Sequence, residues 1–404
     1  MTPSLNSRYL AAAPYAIGDV IWAREWVCQH FLATAVPMGG MPTPLFAWAC
    51  FAPVAQHAHA TDDVGMPPDA RPCHPALQAA RRPRRVSPVE LPTDILVITG
   101  QTASGKERLA VTVAERLGGE IISADSMKVY REMEIGTAKA PADQRRAVPH
   151  HLLDVADPGE TFSTAEWLRR AERAIADVAA RSRVPVISGG APLYLKSLLE
   201  GMFEGPAADH ALRTRLKEEA EARGAPVLHA RLAQVDPLAA SRIHPNDLRR
   251  ITRALEVWEL TGTPISELQK QWGSRRPRWR PLVAAIRRER TDLTQRITER
   301  IERMMRAGLV DEVRRLAARP GDLARGPRQA LGYAEVLEYL DGRLAEKDLV
   351  PAIIAHTRQF ARRQMTWLSR FPDVVWLDAA PDTPPEALAE RIVALWREHV
   401  GGTP

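Results

Sequence analysis

The stretch that most restricts what this chain can fold into runs from Asp94 to Glu107. There Ile95-Leu96-Val97-Ile98 leads through Thr99 into Gly100-Gln101-Thr102-Ala103-Ser104-Gly105-Lys106-Glu107. A short, wholly apolar run suits a parallel strand covered on both faces. Leu109, Val113 and Leu117 then recur at helical spacing until Gly118-Gly119 stops the helix. A glycine-bracketed loop between such a strand and helix turns its N–H groups and the helix N-terminus toward one anionic group, and Lys106 adds a full positive charge. The segment predicts a site for a phosphate or diphosphate.

One position departs from that pattern. The residue after the lysine is ordinarily Ser or Thr, whose hydroxyl ligates Mg2+, and here it is Glu107. A carboxylate is also a hard oxygen ligand, so Glu107 is the candidate Mg2+ ligand. Without a cation between them, a carboxylate and a phosphate charge about 4 Å apart in a partly buried site repel by roughly 4 kcal/mol.

From residue 120 strands and helices alternate. Glu120 to Ser123 is a short strand that delivers Asp125 to the C-terminal edge, where ligands bind in open α/β sheets. Asp125 also suits the cap of a following turn. Ser163-Thr164-Ala165-Glu166 opens a helix as a capping box, with Trp167, Ala171, Ile175 and Val178 as its buried stripe. Val184 to Ser188 is the next strand, presenting Gly189-Gly190-Ala191 to the same edge, either for close approach to a ligand or as a plain turn. The expected class is α/β, a P-loop NTPase-like parallel sheet flanked by helices.

The 404 residues exceed one ordinary domain, and 45% apolar with 26% charged residues is a globular composition. Residues 1–90 lack sustained periodicity and read as an N-terminal extension, mostly disordered, without a convincing export signal. All three cysteines fall in that stretch, so the remainder has neither a disulfide framework nor a cysteine metal site, as fits a reducing cytoplasm. No run approaches the ~18 apolar residues of a membrane span. A formal charge of +6 is modest, so any nucleic-acid role must rest on local arginine clusters.

Eight blocks then occur in a recognisable order: the phosphate loop, Ser123 to Ser126, Val129 to Arg131, Ile135 to Lys139, Pro149 to Leu152, Leu193 to Lys196, Ile243 to Asp247, and Gln364 to Trp367. Together, across about residues 94 to 378, they resemble the tRNA dimethylallyltransferases, also called tRNA isopentenyltransferases. The resemblance implies transfer of a dimethylallyl group from dimethylallyl diphosphate to the exocyclic N6 of the adenosine just 3′ of the tRNA anticodon, with Mg2+ as cofactor, by a monomer. Asp125 would take the proton of the amine, while Lys106, the loop from Gly100 to Glu107 and, by similarity, Arg253 hold the diphosphate. The implied tRNA-facing residues are Asp125, Ser126, Met127, Lys128 and Ala191. Met127-Lys128 stand where the family usually has Arg-Gln, and Ala191 where it has Thr after Gly-Gly. The missing hydroxyl at Ala191 bears most on catalysis.

Within this frame 91–206 and 281–380 form the catalytic core, 207–280 a helical insertion, and 381–404 a C-terminal helix or tail. The insertion is expected to clamp the anticodon stem-loop with Arg213 and the segment Arg249-Arg250-Ile251-Thr252-Arg253 turned toward RNA. Ile297, Ile301, Met304 and Leu309 mark a later amphipathic helix, and Arg358, Arg362 and Arg363 sit on another. Two rivals stay open at this stage. A small-molecule kinase would use the same loop for ATP, and a catalytically impaired tRNA-binding paralogue would explain Glu107 and Ala191.

Overall fold

The computed structural model describes residues 94–203, 205–270 and 279–401. The expected N-terminal extension therefore lies outside the described residues. The chain enters on β1 (Asp94–Gly100), α1 (Lys106–Leu117), β2 (Glu120–Ser123), α2 (Ala142–Ala147), β3 (His150–His151), α3 (Thr164–Ala180), β4 (Pro185–Ser188) and α4 (Pro192–Glu200). Five helices follow as α5 (His210–Arg223), α6 (Ala225–Val235), α7 (Pro237–Arg242), α8 (Leu248–Thr261) and α9 (Ile265–Leu268). The chain then returns through β5 (Arg280–Arg288), α10 (Arg290–Arg306), α11 (Leu309–Ala317), α12 (Arg325–Arg328), α13 (Tyr333–Leu340), α14 (Glu346–Leu368), β6 (Val374–Ala379) and α15 (Pro385–Gly401).

Among the described residues the six strands run parallel in the order β3-β2-β4-β1-β5-β6. β1 is central, with Val97 level with Ile187 on one side and Val283 on the other. Alternation along β1 divides the core. Ile95 and Val97 face a cluster with Trp167, Leu195, Ile297, Ile353 and Ala361, and Leu96 and Ile98 face Leu109, Val113, Ile392 and Trp396. All four β1 residues are fully buried, which accounts for the uninterrupted apolar run. Helix α15 packs against α1, so the C-terminal segment is part of the sheet's cover and not a tail.

Helices α5 to α9 enclose their own core around Leu216, Leu228, Leu232, Ile251 and Leu255. Glu256, fully buried between α5 and α8, carries the polar link between those helices. Its carboxylate accepts from Arg213, from Arg253 and from the Asp209 N–H. Burial opposes ionisation of Glu256, and these donors outweigh it, so its carboxyl lies below the usual range.

Candidate active site

The loop after β1 closes at Gly105, whose φ of 96° no side chain tolerates cheaply, and Ala103 also sits at positive φ (63°). Left-handed residues on either side of Ser104 turn the neighbouring N–H groups inward. The Ser104 hydroxyl is buried and has no partner among the described residues. An orphaned donor inside the loop is what an incoming phosphate oxygen would satisfy. Lys106 Nζ donates to the Gln101 carbonyl at 3.2 Å. The Lys106 pKa is lowered to about 8, chiefly by burial and also by Lys128 and Arg300, against the raising effect of Glu107 and Asp125.

The loop is also held from outside. Gln364 on α14 accepts the Thr102 N–H at 2.8 Å and donates to Gly190 O at 2.7 Å, and Gln101 Nε2 donates to Ala361 O at 2.9 Å. Gly190 is required by proximity, since a Cβ there would lie 2.5 Å from Gln364 Nε2. The paired glycines thus serve close approach between protein segments. A cavity of about 870 Å³ opens in front of the loop, lined by Lys106, Glu107, Ile135, Ala138, Arg296, Arg300, Arg303 and Met304 among others.

Three arginines that the sequence reading passed over gather here. Arg288 donates to Ser104 O at 2.8 Å and pairs with Asp292 at 2.9 Å. Arg296 donates to Ala103 O at 3.0 Å, and Arg300 lies 3.5 Å from the Thr102 hydroxyl. Neither Arg296 nor Arg300 forms an ion pair with a described residue. Burial lowers the pKa of both, and neighbouring guanidinium groups add to that. Guanidinium groups without a direct ion pair around a phosphate loop suit an anion of more than one charge. The available signal was the spacing of Arg296, Arg300 and Arg303 on α10, beside the buried stripe of Leu293, Ile297 and Ile301.

Asp125 stands at the same sheet edge, half-buried. Its Oδ1 accepts from the Met127 and Lys128 N–H groups at 2.8 and 3.3 Å, so the side chain does cap the turn. Its Oδ2 has no hydrogen-bond partner among the described residues. The Asp125 charge is felt at Lys106, Arg300 and Tyr194. One carboxylate therefore joins a structural bond on one oxygen with an open acceptor on the other, beside the cationic loop.

A family model described as IPP transferase matches residues 128–371. The chain belongs to the IPP transferase family. A tRNA dimethylallyltransferase of Anaeromyxobacter sp. (strain Fw109-5) is 49% identical over 298 residues, spanning 74% of this chain and 98% of that protein. One from Symbiobacterium thermophilum is 46% identical over 305 residues, 75% of this chain and 95% of that protein. Among solved structures, the full-length tRNA isopentenylpyrophosphate transferase of Bacillus halodurans superposes with a TM-score of 0.56 at 34% identity, covering 76% of this chain and 98% of that one. A eukaryotic dimethylallyltransferase acting on tRNA gives 0.65 at 26% identity, covering 77% and 80%. The P-loop NTPase-like fold expected from the sequence is that of this family.

Several of the residues singled out in this IPP transferase sequence stand elsewhere than expected. Arg253 donates to Glu256 at 2.6 Å and to Pro206 O at 3.1 Å, so in this structure it serves as a counterion of a buried carboxylate. Arg213 grips the same Glu256 through two bonds of 2.8 Å, which ties it to the core of the insertion. Ile251 is fully buried in the helical core, Thr252 is half-buried, and Arg249 and Arg250 are exposed on α8. Lys128 turns inward, its Nζ 2.9 Å from Glu107 Oε2 and its side chain 5% exposed, so its donor does not face RNA. Met127 packs against the main core, as does Ala191, whose N–H binds Ala124 O at 3.1 Å. Ser126 remains half-buried in the turn that Asp125 caps.

The same pair bears on Mg2+. Burial opposes ionisation of Glu107, yet Lys128, Lys106 and Arg300 together hold its carboxyl below the usual range. The Lys128 ammonium already occupies one oxygen of that carboxylate, Oε2, at 2.9 Å. Glu107 is therefore not the free carboxylate that the sequence pattern offered to Mg2+.

Proposed function

We propose that this IPP transferase moves a dimethylallyl group from dimethylallyl diphosphate to N6 of the adenosine immediately 3′ of the tRNA anticodon. The observation that carries the reading is the open Asp125 oxygen beside a loop ringed by Lys106, Arg296 and Arg300. An adenine amine is a weak nucleophile, because its lone pair is shared with the ring. As that lone pair bonds to the allylic carbon, the carbon–oxygen bond to the diphosphate breaks and the electron pair leaves with the diphosphate. Asp125 takes the proton from N6. Lys106, the loop N–H groups and Arg300 stabilise the charge that grows on the leaving group. No phosphoryl group is transferred, so the loop acts as a diphosphate holder in an alkyl transfer.

The tRNA is proposed to approach over exposed Arg249 and Arg250 on α8 and over Arg358, Arg362 and Arg363, exposed along α14. Incubation with tRNA and dimethylallyl diphosphate, followed by nucleoside mass spectrometry, tests the reading. A gain of one C5 unit on adenosine is expected. Unmodified tRNA, or ADP formation from ATP with a small acceptor, would overturn it in favour of the non-catalytic or the kinase reading.

A further inference from the structure

The residue that follows a phosphate-loop lysine is ordinarily a hydroxyl that holds Mg2+ beside the phosphates. Here it is Glu107 in the first turn of α1, and the side chain that meets it comes from a different element. Lys128 lies in the turn after β2, where its backbone N–H is held by Asp125 Oδ1 at 3.3 Å. Its Nζ reaches 2.9 Å from Glu107 Oε2. Glu107 lines the cavity, and Lys128 is 4% exposed.

Each of these residues alone would be a defect. A bare carboxylate at the mouth of a phosphate loop repels the ligand, and a buried ammonium without a partner is costly. Together they close into one neutral unit. They are also two of the positions at which this chain departs from the pattern it otherwise follows, and the fold brings those two departures into contact.

We propose that Lys128 is a positioning residue for the prenyl donor. Its ammonium neutralises and anchors Glu107, so the diphosphate meets a closed ion pair and binds without a divalent cation at this position. The inference rests on the reading of the loop as a diphosphate holder. It makes Glu107 and Lys128 a coupled unit: loss of Lys128 alone bares the carboxylate and creates a cation requirement, and removal of Glu107 as well abolishes it. The Asp125 turn thereby connects the proton acceptor, Lys128 and the donor site in one short segment.

The test is calorimetric titration of inorganic pyrophosphate into the full chain, across free Mg2+ from chelated to millimolar. The parent, Lys128→Gln, Glu107→Gln and the double variant are compared. The parent should bind nearly as well in chelator as in Mg2+. Lys128→Gln should bind about tenfold more weakly in chelator, within the usual range of coupling between directly paired groups, and recover as Mg2+ is added to the bared carboxylate. The double variant should return close to the parent in chelator. If Lys128→Gln does not fold, Glu107→Gln decides, because the proposal requires it to bind in chelator at least as tightly as the parent. Equal weakness in Lys128→Gln and the double variant, or parent binding abolished by chelation, overturns the proposal, as does a parent that binds no pyrophosphate at any Mg2+. A parent that binds pyrophosphate as expected yet prenylates no tRNA overturns the proposed function and leaves this inference standing.

Discussion

The side-chain oxygen of Gln364 accepts the backbone N–H of Thr102 at 2.8 Å, so a helix near the end of the chain fixes the phosphate loop near its start. The amide nitrogen of Gln364 donates to Gly190 O at 2.7 Å, and the side chain is therefore used at both ends. Substitution by Leu keeps the volume and leaves a donor and an acceptor unpaired. Gln364→Leu should lower stability by about 2–4 kcal/mol, the cost of orphaning two buried polar groups. It should also raise KM for the prenyl donor, because the loop loses its outside brace. Denaturant unfolding and steady-state kinetics check the two effects separately.

Lys106 gives a pH dependence whose sign is set by burial. Its pKa in the free protein is about 8, below the ordinary 10.5, and a bound diphosphate favours the ammonium and raises it. Below pH 8 the lysine is already protonated, and binding needs no proton. Above pH 8 binding must take one up, so dimethylallyl diphosphate affinity should fall by about tenfold near pH 9. Calorimetry in buffers of different ionisation enthalpy should detect that proton uptake. Affinity that stays flat from pH 7 to 9 would mean that Lys106 does not bind the diphosphate as a cation.

Arg300 and Arg253 separate the site from the scaffold. Arg300→Ala removes an unpaired cation beside the loop and should cost about 10²–10³ in kcat/KM, as loss of a leaving-group stabiliser does. Arg253→Ala strips one counterion from buried Glu256. It should lower stability by about 1–3 kcal/mol while donor affinity stays near the parent value. Titration with dimethylallyl diphosphate alongside thermal unfolding distinguishes these outcomes. A large loss of donor affinity in Arg253→Ala would return that residue to the diphosphate set.

The strand, the loop and the Asp125 turn were legible because each is local: an apolar run, a glycine spacing, a carboxylate at a strand end. The arginines of α10 were not, because nothing in their own segment shows that β5 lies beside β1 and carries them to the loop. Their spacing alone matches a solvated helix face. The pairing of Arg213 and Arg253 with Glu256 was hidden for the converse reason. A basic helix facing a phosphate-rich partner looks the same in sequence as one folded over a buried glutamate, and Glu256 sits in a segment whose burial emerges only when α5 and α8 pack. The capping role of Asp125 was visible, but its sharing with an open oxygen was not.

The electrostatic face of the insertion is open to a salt test. Arg249 is exposed on α8 and has no partner among the described residues, which is the condition of an arginine available to phosphates. tRNA affinity should fall steeply with salt as counterions are released, with Arg249→Ala reducing the slope by about one. An unchanged slope would move the RNA-binding surface away from α8.

Asp125 provides the most demanding case, because its two oxygens are assigned different work. Oδ1 holds the turn through Met127 and Lys128, and an asparagine oxygen can accept the same two N–H groups. Asp125→Asn should therefore leave the turn, the fold and tRNA affinity near those of the parent. What it removes is the negative charge and the proton acceptor at the second position. The expected loss is about 10²–10⁴ in kcat with little change in substrate binding, the range for a positioned base. Asp125→Ala removes both functions and should also destabilise the turn that carries Lys128, so it should lose donor affinity where Asp125→Asn does not. Single-turnover prenylation of tRNA by the two variants, with unfolding measured in parallel, distinguishes the roles. If Asp125→Asn turns over at the parent rate, the proton leaves N6 by another route and Asp125 serves the turn alone.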